Sequence, residues 1–171
     1  MTANSFIEHT TRRLVIAFPR DYADFVEHYE TVVPEADLGA FAAAASWQEH
    51  LDLMARRAPH GFLRYYGGDL SAVFATASSD WSARQYLMGN HTIAERMYRH
   101  DPSVMLHAPL RTLIYVDSQG TTNLAVDQPS LLFGSYGSPE IEAVGRHLDS
   151  LLADLVVTLG GEAPAELRHD G

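Results

Sequence analysis

The segment "SPEIEAVGRHLDSLLADLVVTLGG" (138–161) constrains the fold more than any other stretch of the chain. Ser138 stands at the N-cap position, Pro139 at the first helical position, and two glutamates occupy the first turn, where they complement the helix dipole. Ile141, Val144, Leu148, Leu151, Leu152, Leu155 and Leu159 then form one apolar stripe, and Gly160 suits a C-terminal cap. A stripe of that width and length has to be buried against another element. The remaining sequence supplies mostly strands to receive it.

The clearest of these is the hairpin "RTLIYVDSQGTTNLAVDQP" (111–129), two β-rich runs around turn formers that end in glycine. "RLVIAFP" (13–19) reads as a strand closed by Pro19. Asp21 is a plausible cap for a helix whose inner face is Tyr22, Phe25, Val26, Tyr29 and Val33, with Pro34 as its stop. Ser46 and Glu49 have capping-box spacing and open a helix carrying Trp47, Leu51, Met54 and Ala58, with the alanine run 40–46 as a prefix or extension. "GFLRYYGGDLSAVFATA" (61–77) predicts two strands joined at Gly67-Gly68-Asp69, and "ARQYLMG" (83–89) a further strand. A helix capped by Asn90 or Thr92 follows, with Glu95 completing a box with Thr92, and Pro102 limits it.

Several antiparallel strands and one long terminal helix predict a two-layer α+β domain. Its curved, mainly antiparallel sheet is packed by the C-terminal helix in a β-α-β(4)-α core with a helical insertion. One domain over residues 12–160 is expected, with a flexible lead-in at 1–11 and a loose tail at 161–171. A long helix laid across a sheet leaves a cavity between them, a usual place for an apolar ligand.

Composition removes several classes of function. The chain has no cysteine, so disulfides, thiolate metal sites and thiol catalysis are excluded. No stretch approaches the roughly 20 apolar residues of a membrane helix. The N-terminus lacks the basic-then-apolar order of a signal peptide, which points to the cytoplasm. A formal net charge of −10 repels phosphate backbones and acidic membranes, so neither nucleic acid nor membrane is an expected partner.

From Gly61 to about Leu159 the chain resembles the bacterial family called domain of unknown function 302. "GFLRYY", "YLMGN" (86–90) with an "IA..M" helix start, "APLRTLIYVDSQG" (108–120) and "DQPSLLFGSYGSPEIEAVGRHLDSLL" carry the resemblance. It implies a fold similar to the TATA-box-binding-protein class and a homodimer, and it implies no established activity. Two positions depart from the pattern: His91 stands where proline often follows Gly-Asn, and Val126 where an aromatic often precedes the acidic residue.

Candidate chemistry gathers in "GNHTIAERMYRHDPSVMLHAPLR" (89–111). His91 and Glu95, four apart, share a helix face and can reach one cation or one substrate proton. His107 is the nearest further ligand, whereas His100 is about half a turn out of phase with His91. A capped helix start explains the pair without a metal, and no metal ligand is assigned. His100-Asp101 as a base and its orienter is disfavoured, because adjacent residues rarely aim at one another. Arg111, if it faced the interior, would hold an anion or pair with Asp127 or Glu95, and Arg64 faces the same choice. Tyr115 joins His91, Glu95, His107, Arg111 and Arg64 as a ligand-binding candidate. "GSYGSPE" lacks the lysine of a P-loop, and no nucleophile elbow is present.

Two functional readings result. In the first the chain is a homodimeric small-molecule-binding protein with an apolar, aromatic cavity between helix and sheet. In the second it is an enzyme of small-molecule metabolism whose acid–base residues surround that cavity. No cofactor is called for, although nine histidines leave a haem or metal variant of the enzyme open.

Overall fold

The structure, a computed structural model, describes residues 4–169. The outermost parts of the expected lead-in and tail, residues 1–3 and 170–171, lie outside them. A five-stranded antiparallel sheet runs in the order β1-β5-β4-β3-β2, built from β1 (Arg13–Phe18), β2 (Leu63–Asp69), β3 (Ala83–Gly89), β4 (Leu110–Val116) and β5 (Thr122–Asp127). Strand alternation sorts its two faces. Leu14, Ile16 and Phe18 of β1 turn inward with Leu110, Thr112 and Ile114 of β4, while Arg13, Val15, Arg111, Leu113 and Tyr115 turn outward.

Two main helices cover the inner face. Helix α1 (Tyr22–Val32) starts at Asp21, whose carboxylate accepts the Ala23 N–H at 2.9 Å. It buries Phe25 and Tyr29, and the Tyr29 hydroxyl lies 3.3 Å from Thr112 Oγ1 on β4. Complete burial pushes the Tyr29 phenol up to about 12. The long helix α7 (Pro139–Thr158) lays Ile141, Val144, Leu148, Leu152 and Leu155 into the same core. Each such side chain contributes roughly 1.5–3 kcal/mol. The two-layer α+β architecture follows directly: helices on one face of an open sheet, with no helix among the described residues on the other.

The insertion between α1 and β2 forms α2 (Leu38–Ala43) and α3 (Trp47–Arg57). The alanine run is therefore a separate short helix with its own cap, Asp37. Ser46 caps α3 as expected, but Glu49 returns to the Ala45 N–H rather than to that of Ser46. Phe41, Met54, Ala58 and Leu63 make a small second core here.

Three further sequence readings need correction. The stretch 61–77 is one strand followed by helix α4 (Leu70–Phe74) and a 3-10 turn, not a hairpin. Asp69 accepts the Ser71 and Ala72 N–H groups and caps α4, and Gly67 lies inside β2 against the Tyr86 ring. The capping box of α5 (His91–Tyr98) also fails: Asn90 Oδ1 accepts the Thr92 and Ile93 N–H groups, and Glu95 pairs instead with Arg99. The tail is not loose over residues 161–169. Ala163 and Leu167 are buried in the main core, and His169 Nε2 lies 2.8 Å from Asp149 Oδ2. A fully buried carboxylate needs donors, and the tail brings one.

Candidate functional site

One end of the sheet holds a cavity of about 190 Å³. Its walls come from the ends of β2, β3 and β4 and from the helices above them: α5, α7 and α6 (Pro129–Gly134). Phe62, Ala94, Met97, Pro109, Phe133 and Leu148 make it almost wholly apolar. The polar groups in its wall are Tyr65, Asn90 and His91.

Local chemistry places each of these. The β2–β3 register slips between Arg64 and Tyr66, so Tyr65 is the extra residue of a β-bulge. Bulges re-aim a side chain, and the Tyr65 hydroxyl lies 2.8 Å from His91 Nδ1 and accepts the His91 backbone N–H at 3.3 Å. Asn90 uses its carbonyl to cap α5 and donates from Nδ2 to the Gly61 carbonyl at 2.9 Å, which fixes where α5 begins. Gly89 lets the chain pass close to Pro109, since an added Cβ would sit 3.1 Å from the proline Cβ. The Gly-Asn and Pro-Leu-Arg segments therefore pack on each other and frame the cavity.

The His91 ring stands edge-on to Phe41 at 4.3 Å and to His50 at 5.5 Å between centroids. Its Nε2, and Nδ1 of His50, are buried with no hydrogen-bond partner among the described residues. Burial first, and His50 second, hold the His91 imidazole below the usual histidine range. Burial pushes the Tyr65 phenol up, with the bond from the His91 backbone N–H working against it. The ring is therefore neutral at pH 7. If the Tyr65 hydroxyl, already accepting from the backbone, donates to Nδ1, the imidazole proton resides on Nε2.

The other sequence candidates divide between places that do not converge on this cavity. Glu95 lies in an ion pair with Arg99 on α5. Arg64 ties α1 to β2: its guanidinium donates to the Val33 carbonyl at 2.7 Å and faces Glu30, which also accepts from Tyr86. Asp101 caps a 3-10 turn by accepting the Ser103 N–H, and His100 is exposed. His107, Arg111 and Tyr115 line a broad depression of about 800 Å³ on the uncovered face of the sheet. Among the described residues no group of three or more histidines and carboxylates is arranged to hold a metal ion. Phe41, His50 and Tyr65 were missed by sequence reasoning, because only the tertiary fold brings the insertion and the bulge to His91.

Three histidines, His91, His107 and His147, have pKa values lowered chiefly by burial. In the unfolded chain each gains its proton near the ordinary value of 6.5. The folded form accepts those protons only at lower pH, so the unfolded state binds more of them and stability is lost as pH falls. The thermal midpoint, followed by circular dichroism, is expected to drop between about pH 7 and 5.5. His91→Phe should flatten part of that drop. A midpoint that is constant or rising over the same window contradicts the assignment.

Comparison with known proteins bears on the family and the fold. The family model "Domain of unknown function DUF302" matches residues 69–156, which include Gly89, Asn90, His91 and Pro109 but not Phe41, His50 or Tyr65. A crystal structure of an uncharacterized conserved DUF302 protein from Bacillus stearothermophilus superposes with a TM-score of 0.63. It is 14% identical and covers 86% of this chain and 97% of its own. At that identity it speaks for the fold alone. No curated protein matches the chain. No helix among the described residues is long and apolar enough to cross a membrane. With its family segment spanning β3 through α7 and its fold shared with a solved member, the chain belongs to the DUF302 family.

Proposed function

We propose that the protein binds a small, largely apolar molecule in the cavity beneath α5. The observation that carries this is an almost wholly apolar space of about 190 Å³ into whose wall only Tyr65, Asn90 and His91 bring polar side chains. A cavity of about 150 Å³ is enough for benzene, so the space suits one aromatic ring with one or two further heavy atoms.

Benzyl alcohol is a suitable probe. Calorimetric titration should detect it with the wild-type protein, and Ala94→Leu, which fills the cavity from α5, should weaken binding at least about tenfold while leaving the far-ultraviolet spectrum unchanged. Equal binding by both proteins would place the ligand elsewhere and end this reading. The acid–base alternative has less support, since Glu95, His107 and Arg111 do not line the cavity.

We also propose that the protein pairs with itself through β1. This strand bonds only to β5 among the described residues, and its other edge is unpaired. Antiparallel pairing of two β1 strands would extend the sheet across a two-fold axis. Light scattering coupled to size exclusion should then report twice the 18.9 kDa chain mass; a monomer at tens of micromolar would refute it.

A further inference from the structure

The apolar cavity and the depression on the uncovered face are neighbours. Met105, Ala108, Pro109 and Leu110 line both of them. Leu110 is buried, but Ala108 and Pro109 are only partly so, and Met105 keeps 44% of its surface exposed. The partition is one turn of chain and a flexible methionine, not a layer of core.

The charges on the far side of that partition are unbalanced. The register sets Arg13 opposite Asp127 across β1 and β5. On the other side, the pairing of Thr112 with Val126 brings Arg111 opposite the same Asp127. One carboxylate thus lies between two guanidiniums, and neither arginine forms an ion pair within 4.0 Å among the described residues. Both arginines are exposed, and both line the depression with His107 and Tyr115. In a chain of net charge −10 this is a local surplus of positive charge facing a concavity. An anion is steered to such a place, and a planar guanidinium can hold a carboxylate through two parallel hydrogen bonds.

We propose that the two spaces form one composite site for an amphipathic carboxylate, with its apolar ring in the inner cavity and its carboxylate on Arg111 past Met105 and Pro109. This rests on the cavity reading above and narrows it to a ligand class. Arg111 supplies the charge recognition, while the inner cavity sets the size of the apolar part. Asp127, facing the same arginine, disfavours ligands carrying a second negative charge.

The test compares 3-phenylpropanoate with 3-phenylpropan-1-ol, which share a ring and chain and differ in the charged end. Calorimetric titration at low salt should show the acid binding about tenfold tighter than the alcohol, with the advantage shrinking as salt is added. Arg111→Gln, an exposed position that should leave the fold intact, is expected to abolish the advantage and leave the alcohol unchanged. Ala94→Leu should weaken both. Equal affinity of acid and alcohol, or an Arg111→Gln loss of the same size for each, overturns the composite site. Binding of benzyl alcohol but of neither phenylpropyl compound overturns it too, while sparing the cavity reading. If none of the three binds, the cavity reading itself falls.

Discussion

Asp149→Ala is expected to lower the unfolding free energy by about 2–5 kcal/mol, since it strands two buried hydrogen-bond donors at about 1–3 kcal/mol each. Asp149 is completely buried within α7, and its carboxylate is engaged on both oxygens. Oδ1 accepts the Ser130 backbone N–H at 2.9 Å, and Oδ2 accepts Gln128 Nε2 at 2.9 Å and faces His169 Nε2 at 2.8 Å. The group thus fastens the start of α6 and the tail onto one turn of α7. Alanine leaves the Ser130 N–H without its acceptor and opens a void. For a domain of this size each kcal/mol moves the thermal midpoint by roughly 2–4 °C. Asp149→Asn should recover only part of the loss, because one of its two positions would place an amide donor against another donor. Urea unfolding of the three proteins measures this; a loss below about 1 kcal/mol for alanine would show the carboxylate to be dispensable.

Gly145→Leu should be damaging as well, at about 1–5 kcal/mol. A Cβ at Gly145 would meet the Ser130 Cα at 3.1 Å, the Phe133 Cβ at 3.2 Å and the Pro129 carbonyl oxygen at 3.4 Å. These atoms belong to α6 near its backbone and cannot swing aside. Overpacking of this kind costs about 1–3 kcal/mol. Displacing α6 also withdraws the Ser130 N–H from Asp149, worth about 1–3 kcal/mol more for a buried group. Better helix propensity offsets about 1 kcal/mol of the sum. Gly145→Ala separates the two effects, since it gains the same propensity with a smaller intrusion. Chemical denaturation should rank wild type, alanine and leucine in falling order. A leucine variant as stable as wild type would mean that α6 does not sit where the structure has it.

Gly145 and Asp149 also show where sequence reading stopped. They lie four apart on one face of α7, yet the apolar stripe read from the sequence passes beside them. Periodicity detects greasy residues and has no means of marking a glycine or a carboxylate as interior. The same rule explains what was legible. The 111–129 hairpin, the strand at 13–18, the helix after Asp21 and the long helix after Ser138 all follow from local patterns and match the elements found. The failure at 61–77 came from Asp69, because Gly-Gly-Asp serves equally as a hairpin turn and as a strand end leading into a helix cap. For the site, His91 stood out as a departure from its family's pattern. Its companions Phe41, His50 and Tyr65 carry no local mark of meeting it. Arg111 was read as either an anion anchor or a paired interior charge, and strand alternation places it on the outer face, away from the core.

The pairing of β1 with β5 has a consequence for how the chain is made. Arg12 and Gln128, which hydrogen-bond across the end of that pair, are separated by 116 positions in sequence. Strand β1 therefore has no strand partner until more than a hundred further residues have been synthesised, although Phe18 already meets Phe25 of α1. Until then Leu14, Ile16 and Phe18 are a sticky segment in search of a sheet. The closing of Asp149 by His169 comes later still. Distant pairings of this kind slow folding and lengthen the interval open to aggregation. The β3–β4–β5 meander can assemble early as a platform, and the sheet is completed when β1 and β2 join its two edges.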